Sequence, residues 1–79
     1  MLVEILTPDK ELYKGEAKLV QLPGKDGSFE LLTNHTSMVY TLKKGSIKII
    51  EKDAPTPIFF EINGGILEVS NNKAMILAD

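Results

Sequence analysis

Cysteine, arginine and tryptophan are missing from the 79 residues, and histidine occurs once, as His35. Without cysteine the chain can form neither disulfides nor thiolate zinc sites, the usual staples of very small folds, and this fits a reducing compartment. Stability must therefore come from packing or from a partner, because a domain of this size buries a lower fraction of its surface than a large one. A single imidazole has no second histidine to share a metal, and no spacing of carboxylates announces a site. Serines 28, 37, 46 and 70 provide hydroxyls, but none sits in a recognisable nucleophile elbow. The stretch "LPGKDG" lacks the lysine-hydroxyl pair and following helix of a phosphate loop and reads as a turn. Neither catalysis, a metal nor a cofactor is expected. His35 reads as a loop imidazole bonded to Asn34, Thr36 or Ser37.

Charge of one sign is also scarce. Nine lysines against eleven carboxylates leave a net charge of -2, spread along the chain. That balance provides no footprint for nucleic acid. No apolar run approaches the roughly 20 residues that cross a bilayer, and "MLVEILTPDKELYKG" has no basic segment followed by an apolar one. The chain reads as one soluble, intracellular domain over residues 1–79.

What is abundant is punctuation. Pro8-Asp9, Gly15, Pro23-Gly24, Asp26-Gly27, Asn34, Gly45, Pro55, Pro57, Asn63-Gly64-Gly65 and Asn71-Asn72 divide the chain at intervals too short for helices. The intervening runs, residues 2–7, 17–22, 28–32, 38–42, 46–51, 58–62, 66–70 and 73–78, predict an all-β fold. The expected architecture is a sandwich or barrel of about eight to ten short strands. Alternation aims Val20 and Leu22, Ile47 and Ile49, and Ile58, Phe60 and Ile62 inward. Asn71-Asn72 predicts a two-residue hairpin turn, since asparagine tolerates positive φ.

Adjacent strand residues face opposite sides. Leu31-Leu32, Ile49-Ile50, Phe59-Phe60, Ile66-Leu67 and Ile76-Leu77 therefore each send one apolar group outward, and no residues remain to build a covering layer. A contiguous outer patch would mark an interaction surface.

Three stretches in order, "TPDKELYKGEAKLVQLPGKDGSFELLTNHT", "LKKGSIKI" and "NGGILEVSNNKAMILAD", resemble the N-terminal β-sandwich domain of the epsilon subunit of the rotary, F-type ATP synthase. The resemblance runs over the whole chain. It implies a flattened sandwich of two antiparallel sheets. It also implies a non-catalytic central-stalk role linking the gamma subunit to the ring of c subunits, so that proton flow is coupled to ATP synthesis. The domain would be held, through the complex, at the cytoplasmic face of the inner, energy-transducing membrane. The chain departs from the family around its loop: Ser28 stands where a carboxylate is common, with Glu30 two residues on, and Thr33-Asn34-His35 replaces Pro-Gly-His. Partner contacts implied are Ser28, Glu30, His35 and Met38. Many members continue into a helical hairpin that can inhibit ATP hydrolysis. With Asp79 as its end this chain is expected to lack that hairpin and to bind no ATP. A generic β-sandwich module for a carbohydrate or peptide is the alternative, disfavoured by the absence of tryptophan platforms. A small hydrolase is a distant third.

Overall fold

A computed structural model gives the fold of the chain and describes residues 1–32 and 36–79. Six strands follow one another: β1 (Leu2–Leu6), β2 (Glu11–Gly24), β3 (Gly27–Leu31), β4 (Met38–Glu51), β5 (Ile58–Ser70) and β6 (Lys73–Ala78). They form one sheet in the order β1-β6-β5-β4-β2-β3, and β1 pairs with β2 as well. That last pairing closes five strands into a barrel and leaves β3 hung on β2 as an edge. β1 runs parallel to β6, and the other neighbours are antiparallel.

The all-β expectation holds, but the expected flattened pair of sheets with eight to ten strands is corrected to one six-stranded sheet, five strands of which close into a barrel. Its principal extents are 28 × 24 × 23 Å, so the body is only slightly longer than it is wide. The expected breaks at Gly15, Gly45 and Gly64-Gly65 lie inside strands of 14, 14 and 13 residues. Register between β4 and β5 is unbroken from Met38↔Val69 to Ile49↔Ile58. What changes is the inward-facing parity. Along β4 Leu42 is buried, Lys43 and Lys44 are both exposed, and Ile47 and Ile49 are buried again. Opposite them Ile62 is buried, and then Leu67 and Val69. The ladder turns a corner there without losing its pairing. In β2 the same switch falls between Ala17 and Val20, at a register shift against β4. Such corners are where strands carry glycine or bulges. The run of residues 11–16, missed as a strand, is the half of β2 that pairs with β1.

The closed sheet wraps one core. Val3, Ile5, Val20, Leu22, Ile47, Ile49, Leu67, Val69 and Ile76 are all but sealed from solvent. Ile58 and Phe60, aimed inward by alternation, are half-buried and pack on its rim. Asn71 and Asn72 take φ of 49° and 60° between Ser70 and Lys73, the two-residue turn expected of them.

Candidate interaction surface

The outward partners of the apolar doublets become visible once the register is known. Leu31, Leu67 and Ile76 are buried, whereas Leu32, Ile66 and Leu77 are exposed. Ile66 pairs across β5–β6 with Leu77 and across β4–β5 with Thr41, whose outward neighbour two residues back is Val39. Val39, Ile66 and Leu77 retain 68%, 45% and 44% of their surface. They lie on three successive strands, β4, β5 and β6, with Ile66 directly beside Leu77 and diagonal to Val39, which lines them up as one patch instead of scattered groups. In the parallel register of β1 and β6, Leu77 faces the half-buried Leu6 and Met75 lies beside Glu4. The rim next to the patch is ionic: Lys73 Nζ stands 2.8 Å from Glu4 Oε1. That hydrogen bond holds the Glu4 carboxyl below its ordinary range, against a smaller opposing effect of burial. Phe59, also exposed, pairs with Lys48 and lies apart from this patch in the β4–β5 ladder, and the exposed Leu32 follows the end of β3.

The residues implied as partner contacts gather only in part. Ser28 and Glu30 are both exposed on the outward side of β3, and Gln21 Nε2 donates to Ser28 Oγ at 3.2 Å. Met38 is half-buried and packs against the core, opposite the buried Val69. The neighbour that points outward is Val39. Strict alternation through Met38-Val39-Tyr40 carries that signal, since Tyr40 pairs with the buried Leu67 and so faces in. His35 lies outside the described residues.

Two aromatic pairs bridge strands that share no hydrogen bonds. Tyr13 of β2 meets Phe60 of β5 at 5.4 Å between centroids, and Phe29 of β3 meets Tyr40 of β4 at 4.7 Å. Tyr13 also donates its hydroxyl to Glu51 Oε2 at 2.7 Å. Burial, and then the adjacent carboxylate, push its phenol up to about 12. A shallow depression of about 250 Å³ lies beside this bond, lined by Glu16, Glu51, Lys52, Asp53 and Ala54. Among the described residues no three histidine or acidic side chains come together as a metal site. Nor is any helix there long and apolar enough to cross a membrane.

The class this defines is a small closed β-barrel whose outstanding features are surfaces: one apolar outer patch and one polar edge strand. Comparison with known proteins narrows it. The chain belongs to the ATP synthase delta/epsilon chain, β-sandwich domain family, whose pattern matches residues 1–79. It is 37% identical over 75 residues to the ATP synthase epsilon chain of Caulobacter vibrioides, covering 95% of this chain and 85% of that one. To the epsilon chain of Protochlamydia amoebophila it is 39% identical over 77 residues, covering 98% of this chain and 52% of the relative. The chain thus spans about half the length of the latter. In fold it matches a chain in the central stalk and c-ring structure of Tetrahymena thermophila mitochondrial ATP synthase, with a TM-score of 0.80. Identity there is 21%, and the match covers 99% of this chain and 62% of that one. A chain in the Euglena gracilis mitochondrial ATP synthase OSCP/F1/c-ring structure matches with a TM-score of 0.84 at 16% identity, covering 99% of this chain and 49% of that one.

Proposed function

We propose that this domain is a non-catalytic rotor element of an F-type, proton-transporting ATP synthase, docking on the gamma subunit and contacting the c-subunit ring. The observation that carries the reading is the patch of Val39, Ile66 and Leu77, an uncovered apolar group on the outside of a barrel whose core is already complete. Burying it against a partner removes apolar surface from water without rearranging the domain. Membership of the delta/epsilon family, and the name ATP synthase epsilon chain borne by the relatives, support reading that partner as the gamma subunit.

The ring contact belongs at the other feature, the β3 edge with Ser28 and Glu30, together with His35 and Met38. In this role the domain transmits rotation between gamma and ring and performs no chemistry itself. Its membrane association is peripheral, through the complex, at the cytoplasmic face of the energy-transducing membrane.

The test is calorimetric titration of the gamma subunit with Ile66→Lys and Leu77→Lys, using Phe59→Lys as an off-patch control. A lysine trapped unpaired at a closed interface should cost on the order of 3–5 kcal/mol. Both patch variants are expected to lose gamma binding by tenfold or more while the control keeps it. Undiminished binding by both patch variants would refute the assignment.

A further inference from the structure

Strand β3 is the one strand outside the closed ring. Its hydrogen-bonded neighbour is β2, through Val20↔Leu31 to Gly24↔Gly27, and among the described residues no strand lies along its other edge. β3 and β4 are joined in sequence by residues 32–37 but are not paired with each other. Across that unpaired seam stands one aromatic contact, Phe29 on Tyr40, with centroids 4.7 Å apart and rings inclined at 45°. Both rings pack against the core from its margin. The floor under Phe29 is Gly24. A Cβ built there would lie 2.7 Å from Phe29 Cε1, 2.8 Å from Cδ1 and 2.6 Å from the Gly27 carbonyl oxygen, closer than atoms approach. Gly24 therefore leaves the space that the Phe29 ring occupies beside β2. The Tyr40 ring then closes over it from β4.

We propose that Gly24, Phe29 and Tyr40 form a clasp that positions β3, holding Ser28 and Glu30 where a partner meets them. The functional half of this proposal rests on reading the β3 edge as a partner contact. Phe29 and Tyr40 face inward and act through β3 as positioning residues. Because adjacent strand residues point to opposite faces, the same five residues present Ser28 and Glu30 outward while Phe29 is gripped from within. The other aromatic bridge, Tyr13 on Phe60, is additionally tied by the Tyr13–Glu51 hydrogen bond. Tyr40 has no such hydroxyl tie among the described residues, so its ring alone supplies the grip.

Native-state amide exchange, read residue by residue on the whole chain, tests the clasp. In the unaltered protein the β2-bonded amides of β3 are expected to exchange faster than those at Ile49 and Ile76, through an opening that frees β3 alone. Phe29→Leu and Tyr40→Leu each remove one aromatic contact, worth a factor of about three to ten. Each should speed β3 exchange by that factor. The double variant should add little to either single change, and Tyr40→Phe should behave as the unaltered chain. Gly24→Ala should speed β3 exchange as well, by displacing the Phe29 ring.

The partner readout uses a subassembly of gamma subunit and c ring. Affinity should fall by the same factor as the docked population of β3 measured by exchange. If β3 exchanges no faster than the core in the unaltered chain, or if Phe29→Leu speeds the core amides and leaves β3 unchanged, the clasp is overturned. An affinity that falls while β3 opening stays constant overturns its positioning role. A subassembly that fails to bind the unaltered chain refutes the rotor reading, while exchange still decides the clasp.

Discussion

Replacing Gly65 with alanine probes the corner of β5 most directly. Gly65 has φ of +151°, a region that side-chain-bearing residues rarely occupy, and sits where the inward-facing parity of β4 and β5 switches. A Cβ there would lie 2.3 Å from the Leu77 carbonyl oxygen, 3.0 Å from Ala78 Cα and 3.1 Å from the Leu77 carbonyl carbon. All three are backbone atoms of β6, which is paired to β5 from Gly65↔Ala78 to Ser70↔Lys73 and cannot retreat without opening that ladder. The unfavourable φ costs about 1–3 kcal/mol. The overlap adds about 1–3 kcal/mol more, the usual range for an overpacked site. Set against roughly 4–12 kcal/mol for a domain of this length, from 0.05–0.15 kcal/mol per residue, the change removes a large share of total stability. With a urea slope of about 1 kcal/mol/M, the midpoint should fall by about 2 M or more. Gly27→Ala is the control, since Gly27 has φ of +135° but no atom within 4 Å of the added carbon. It incurs the backbone cost without the clash. The expected order is unaltered chain, then Gly27→Ala, then Gly65→Ala, with the last gap measuring the overlap. A Gly65→Ala protein as stable as Gly27→Ala would refute the argument that β6 backbone closes on this corner.

Two pH dependences follow from the hydrogen bonds. Tyr13 is held up to about 12 from an ordinary 10.0, so its contribution to stability is complete below pH 10 and is lost as pH rises toward 12; in the folded protein the Tyr13 phenolate should form only around pH 12. Tyr13→Phe should cost about 1 kcal/mol at neutral pH and abolish this share of the alkaline loss. Glu4 is depressed below 4.5 by its hydrogen bond from Lys73, so its contribution is present above pH 4.5 and disappears as pH falls through the lowered value. Glu4→Gln should narrow the difference in urea midpoint between pH 6 and pH 3, and an unchanged difference would show that the pair contributes nothing.

The sequence by itself determined the class of fold, the core and the existence of spare apolar groups. Closely spaced breakers exclude helices, a period of two aims Val20, Leu22, Ile47 and Ile49 inward, and doublets such as Ile66-Leu67 and Ile76-Leu77 must each leave one member outside. The Asn71-Asn72 turn was equally legible, because its positive φ values are a local property of those two residues. The number of strands was not. A glycine that ends a strand and a glycine that lets a strand turn a corner have the same local signature, and the difference at Gly45 and Gly64-Gly65 is whether the neighbouring strand turns with it. Closure through β1 and β2, the meeting of Val39, Ile66 and Leu77, and the contact of Phe29 with Tyr40 were decided by tertiary structure alone. They depend on register between strands distant in sequence, and alternation along one strand fixes which face a side chain takes but not which strand lies beside it.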